Sequence, residues 1–323
     1  MLSDPGNSVG HTGLKIVVVG AGGVGGYFGV KLAAHGNEVT FIARGAHAEA
    51  MREAGLRVLS PEGDLHLERV RLLDDPLRTG LVDAVLVAVK MYDLEAAAAL
   101  VRPLLQIDTA VVPLQNGVEA GAILERALGR RYVGGGVAYI AAEIEAPGVV
   151  RHNGGTARLL FGERDGSASW RMEMLQAACQ GAGIDATLSP AIETEVWRKF
   201  LFLAPFAGIT CFGRTTIGAV REDPMLWPRF TAMVEEAAAV ARARGIELLA
   251  DVAEERIAFA RRLPTEMRSS MLHDLEAGRR LELDWLTGAV LRLGAAIGVD
   301  TPVSREIHDA LAPYRDGASS ADG

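Results

Sequence analysis

The sequence predicts an α/β chain in which an N-terminal doubly wound parallel sheet is followed by an all-helical C-terminal domain. Three observations carry this. The stretch "KIVVVGAGGVGGYFGVKLAAHGNEVTFIAR" (15–44) is a β-branched run, a glycine turn, a row of helix formers, a break at Gly36-Asn37 and a second strand. Two further runs, "DAVLVAVK" (83–90) and "AVVPLQNG" (110–117), have the continuous hydrophobicity of parallel strands buried on both faces. From residue 191 apolar residues recur at three- and four-residue spacing, and "MLWPRFTAMVEEAAAVARARG" (225–245) and "LDWLTGAVLRLGAAIG" (283–298) both close on glycine, as helices do.

At 323 residues and 49 % apolar composition the chain has material for two cores. We expect a disordered tail over 1–13, an α/β sheet domain over 14–190, a helical domain over 191–316 with the boundary near Pro190, and a tail over 317–323. Glycine-punctuated β-like runs across 132–163 suggest further strands closing the first domain, and "SASWRMEMLQAACQGAG" (167–183) a helix ended by glycine. A net charge of −8 argues against nucleic acid and anionic membrane as partners and leaves small molecules. No apolar stretch approaches the roughly 20 residues of a spanning helix. Two cysteines, Cys179 and Cys211, supply neither a disulfide framework nor a metal cluster, which suits a reduced, cytoplasmic setting. No zinc spacing occurs among the seven histidines, so no metal is expected. His273, near Ser270 and Asp274, lacks the nucleophile elbow of a hydrolase.

Gly20, Gly22 and Gly25 fit G-x-G-x-x-G at a strand-to-helix junction: the first permits the turn, the second a close approach of pyrophosphate, the third tight helix–strand packing. Gly20, Ala21, Gly22, Gly23, Val24 and Gly25 therefore form a candidate phosphate cradle. After the second strand, where NAD sites place an acid, the chain has Ala43-Arg44, and a guanidinium suits the 2′-phosphate of NADP(H). Lys90 and Asn116 end the next two predicted strands. Each alone reads equally as a solvated strand end or a turn; together with the glycine loop and Arg44 they share the carboxyl edge where such sheets bind ligands.

In the helical half, Lys199 heads an apolar run in "ETEVWRKFLFLAPFAGIT" (193–210), either a snorkelling stem or an ammonium held in a dry site. Ser270 in "RSSMLHDLEAG" is a candidate helix cap or ligand-binding hydroxyl. Glu282 in "RRLELDW" is a candidate surface charge or site acid, with Asp284 capping the helix that follows.

The ordered set "GAGGVGGYFG", "LVAVK", "LQNGVE", "EVWRKF", "RSSMLHDLEAGRRLELDWLTG" and "GVDTPVSREIHDAL" resembles the ketopantoate reductase family over about residues 14–315. The resemblance implies a Rossmann-type domain and a helical domain enclosing a cleft, and NADPH-dependent reduction of a small-molecule 2-oxo acid; the sequence does not give the oligomeric state, and a homodimer is the assembly to be tested. It implies pyrophosphate at Gly20 to Gly25, the adenosine phosphate at Arg44 and Lys90, and nicotinamide or substrate at Asn116. Lys199 would be the catalytic lysine, Ser270 a substrate-binding serine and Glu282 the active-site glutamate, near the lysine or the nascent hydroxyl. The family's asparagines one and two helical steps past the lysine, and three residues before the serine, are here Leu203, Ala207 and Met267. That departure makes a more apolar 2-oxo acid the competing substrate. A dinucleotide-binding sensor without chemistry is the competing class.

Overall fold

Valine-rich strands stay buried on both faces only when helices cover both, and the computed structural model of the chain, which describes residues 13–73 and 79–317, arranges them so. Most of both expected tails, residues 1–12 and 318–323, lies outside the described residues. The N-terminal half runs β1 (Lys15–Val19), α1 (Gly23–Ala34), β2 (Glu38–Ile42), α2 (Gly45–Ala54), β3 (Leu56–Leu59), β4 (Leu65–Leu67), β5 (Arg71–Leu72), β6 (Val82–Val87), α3 (Leu94–Val101), β7 (Leu105–Pro113), α4 (Ala120–Leu128), β8 (Gly135–Tyr139), β9 (Ala142–Ala146), β10 (Val149–His152), β11 (Arg158–Gly162), α5 (Trp170–Gly181) and β12 (Asp185–Leu188).

The central sheet has the order β5-β2-β1-β6-β7 and every pairing in it is parallel. Side chains alternate as the pleat requires. Ile16, Val18, Ala84 and Leu86 enter one core with α1, while Val17, Val19, Val85 and Val87 enter another with α3 and α4. The register pairs Val19 with both Ile42 and Val87, and Val87 with Pro113, so four strands end level. Chain order reverses at β1, between β2 and β6, which puts a switch-point crevice above that edge.

The strands expected over 132–163 form, but they do not extend this sheet. Two smaller mixed sheets take them instead, β4-β3-β10-β9 and β12-β11-β8. The first lies over α1, where Gly23 and Gly26 admit the backbone of Ala142 and the side chain of Val150.

The C-terminal half is helical: α6 (Ile192–Gly213), α7 (Ile217–Glu222), α8 (Leu226–Ala243), α9 (Val252–Arg262), α10 (Ser270–Glu276), α11 (Thr287–Ala295) and α12 (Pro302–Leu311). The 22-residue α6 is its spine, burying Phe200, Leu201, Phe206 and Ile209 among Phe230, Val234 and Leu272 from its neighbours. Thr287, not Asp284, opens α11; Asp284 sits in a 3₁₀ turn, Leu283–Trp285, and caps nothing with its side chain.

A methyl group at Gly25 would lie 2.0 Å from the Gly20 carbonyl oxygen, whereas one at Gly22 meets nothing within 4 Å. Gly25→Ala is therefore expected to lower stability by about 1–3 kcal/mol, and Gly22→Ala by less than about 1 kcal/mol, measured as urea unfolding midpoints. Equal midpoints would show that α1 yields at Gly25.

Candidate active site

The glycine turn lifts the chain off β1 onto α1. Gly20 has φ +95°, and a Cβ there would sit 2.9 Å from the backbone of Ala88. The first-turn amides of α1 have no side-chain cap and no acid beside them, so they present a positive dipole end over the open space at Gly22. This cradle fits a dinucleotide pyrophosphate. His47, which the sequence reading passed over, braces it: its Nε2 donates to Ala21 O at 2.9 Å and its Nδ1 accepts from Gly148 N at 3.1 Å. Burial lowers the pKa of His47, in keeping with a neutral ring. Arg44 follows β2, largely exposed, and its guanidinium pairs with Asp93.

Across the crevice, α6 delivers Lys199 to the ends of β7 and β8. Its Nζ donates to Asn116 Oδ1 at 2.9 Å and to Ala138 O at 2.7 Å, and lies 5.8 Å from the Tyr139 ring centroid. The Lys199 stem does not snorkel outward: its head group turns into the crevice, onto these two acceptors. Burial lowers its pKa from 10.5 to about 8, against the opposing pull of the Glu282 carboxylate. A cavity of about 10 Å³, about one water, is lined by Lys199 with Gln115, Gly117, Val137 and Leu203. Gln115 donates through Nε2 to the Val87 and Val89 carbonyls, and its buried Oε1 has no described partner.

Glu282 does not touch Lys199. It is 6 % exposed, with Oε2 accepting from Lys90 Nζ at 3.1 Å and Oε1 from Met91 N at 3.0 Å. Lys90 also donates to Asp274 Oδ2 at 2.8 Å, and Arg279 Nε to Asp274 Oδ1 at 2.8 Å. Lys90, read from sequence as a phosphate ligand, is therefore the tie between the sheet rim and the helical half. Burial depresses its pKa, but the two carboxylates together outweigh that and hold it above its ordinary value. Asp274 was legible in principle, four residues after Ser270 on one helical stripe.

The cap of α10 is Ser269, not Ser270. Buried Ser269 Oγ accepts from Leu272 N at 3.1 Å and bonds Thr210 Oγ1 at 2.8 Å. Ser270 is exposed and its hydroxyl bonds no described residue; the i to i+4 spacing puts it on the Asp274 side of the helix. Leu203 joins the Lys199 cavity, Ala207 one turn further is buried, and Met267 is 37 % exposed.

A glycine cradle on a doubly wound sheet, faced by a helical half that sets an ammonium above the rim, is a Rossmann-type build with a helical C-terminal region, and the comparisons make it that of an oxidoreductase. The family models for ketopantoate reductase PanE/ApbA and for its C-terminal domain match residues 16–166 and 191–315. A 2-dehydropantoate 2-reductase of Mesorhizobium japonicum is 34 % identical over 90 % of this chain and 94 % of its own. An uncharacterized oxidoreductase of Bacillus subtilis is 30 % identical over 93 % and 99 %. Among solved structures, a PanE/ApbA family ketopantoate reductase from Ralstonia eutropha superposes with TM-score 0.85 at 32 % identity, covering 93 % and 98 %. A D-mandelate dehydrogenase in complex with NADH gives 0.83 at 25 %, covering 94 % and 99 %. The chain belongs to the ketopantoate reductase family.

Lys199 is ammonium below its pKa and amine above it. Turnover that needs the ammonium is expected to hold level up to about pH 7 and to fall through an apparent pKa of about 8. A 2-oxo acid reduction rate flat to pH 10 would show that this group does not titrate in the step.

Proposed function

We propose that the chain uses NADPH to reduce a 2-oxo acid, with ketopantoate to pantoate, a step of pantothenate synthesis in the cytoplasm, as the leading reaction. The observation that supports this best is the Lys199 ammonium held between Asn116 Oδ1 and Ala138 O at the rim above the glycine turn. Gly20 to Gly25 would hold the pyrophosphate and Arg44 the adenosine end. When bound, the dinucleotide supplies hydride to the keto carbon.

Two of the three Lys199 N–H groups are engaged, which leaves one for the substrate carbonyl oxygen. That N–H stabilises the negative charge growing on the oxygen and then gives it a proton, and the lowered pKa of about 8 makes the transfer easy near neutrality. Asn116 fixes the direction of the ammonium. Ser270, free on the Asp274 side of α10, would take the substrate carboxylate together with backbone amides. Glu282 acts on Lys199 through space, favouring its charged form, while its own oxygens stay on Lys90 and Met91.

A second reading, a more apolar 2-oxo acid, is favoured by Leu203 beside Lys199 in the cavity and Ala207 one turn beyond. A substrate hydroxyl against that wall would be left without a partner. The solved D-mandelate dehydrogenase of the same build is consistent with it.

Lys199→Ala is expected to lower turnover on the order of a hundredfold or more while dinucleotide binding survives. Steady-state rates over a panel of 2-oxo acids separate the two substrates, since a preference for a hydroxyl-free analogue over ketopantoate selects the second. Bound NADPH that no 2-oxo acid oxidises in a single turnover would leave only the sensor reading.

A further inference from the structure

In a sheet of this kind the adenosine ribose lies over the end of β2, where an acid takes the 2′-hydroxyl of NAD and an arginine the 2′-phosphate of NADP. β2 itself offers only Arg44. The acid arrives from another segment: Asp93, last residue of the 3₁₀ turn Met91–Asp93 that follows β6, pairs through Oδ2 with Arg44 Nη2. The turn is closed by Asp93 N donating to Lys90 O at 2.9 Å. The Asp93 side chain is 24 % exposed and that of Arg44 78 %, so the carboxylate is the more buried member of the pair and the guanidinium the more solvated. Among the described residues no second donor reaches the other Asp93 oxygen.

Among the described residues, Lys90, the cation that follows β6 at this edge, is no freer. Lys90 is held by Asp274 and Glu282, with Arg279 on the far oxygen of Asp274. A 2′-phosphate must therefore draw Arg44 from a carboxylate of its own sign, at contact range, with little unpaired positive charge from Lys90 to help. A 2′-hydroxyl meets no such conflict: it can donate to Asp93 while Arg44 stays in place.

We propose that Asp93 is a cofactor-discriminating residue which, with Arg44, lets this rim accept NADH alongside NADPH. The inference rests on the dinucleotide reading of the glycine cradle above. Arg44 and Asp93 are then opposed determinants on one spot, so removing each should move the preference in opposite directions.

The test is equilibrium binding of NADPH and NADH to the whole chain by nicotinamide fluorescence, with 2′-AMP and 5′-AMP as competitors, for wild type, Asp93→Asn and Arg44→Ala. Wild type is expected to bind the two dinucleotides within about tenfold of each other. Asp93→Asn, which keeps the side-chain shape, should raise the NADPH-to-NADH affinity ratio several-fold to about tenfold and tighten 2′-AMP. Arg44→Ala should lower the ratio by a similar factor. An unchanged ratio in Asp93→Asn, or weakened NADPH, would mean that Asp93 only holds Arg44 and would overturn the proposal while the cradle stands. Binding of neither dinucleotide by wild type would overturn both.

Discussion

A buried ammonium is tolerated only where acceptors replace the water it has lost, and the crevice of this protein is organised around one such group. Lys199 enters from the first turns of α6, in an otherwise apolar run, and finds the Asn116 amide and the Ala138 carbonyl. Those acceptors belong to the sheet half, so satisfying the charge requires the two halves to meet. Both are neutral, and two dipoles do not compensate fully for lost hydration, which is why the pKa falls to about 8. The feature that makes the lysine a poor cation suits it to the proton transfer proposed for it.

The meeting place is set by strand register. With Val19, Ile42, Val87 and Pro113 ending level, the glycine turn, Arg44, Lys90 and Asn116 leave the sheet along one line although they lie far apart in sequence. A slip of β7 by one residue would turn its side chains to the opposite faces and exchange the positions of Gln115 and Asn116. Gln115 opposes that slip from within, its amide spanning the Val87 and Val89 carbonyls.

Much of this was legible beforehand because it is local. Periodicity marked the parallel strands and the helices, and the glycine spacing marked the cradle. The carboxyl-edge rule placed Lys90 and Asn116 on one rim. What escaped depends on contacts between distant segments. Nothing in "RRLELDW" says that Glu282 meets Lys90 and not Lys199, and nothing in "RSSML" says which serine caps, because both follow from how α10 docks against Thr210 and the sheet edge. Runs over 132–163 read correctly as strands, yet their division between two sheets is a matter of partners and not of pattern. Asp93 was passed over for a simpler reason: a single acid in a turn has no signature until a cation from another segment is set against it.

Lys90 and Lys199 show how one chemical group is given two tasks by its acceptors. Both ammonium groups sit where the halves meet, and both lose solvent. Lys90 faces two carboxylates, whose attraction exceeds the cost of burial and holds it charged above its ordinary pKa. Lys199 faces an amide and a peptide carbonyl, with its nearest influential carboxylate acting at a distance, and burial wins. Permanent charge suits a tie, since a tie that titrated near neutrality would loosen as the proton moved. A titratable charge suits the proton transfer proposed for Lys199. Glu282 links the two: by giving its oxygens to Lys90 and Met91 it secures the tie, and by making no hydrogen bond to Lys199 it leaves burial to set that lysine's lowered pKa, as the proposed proton transfer requires.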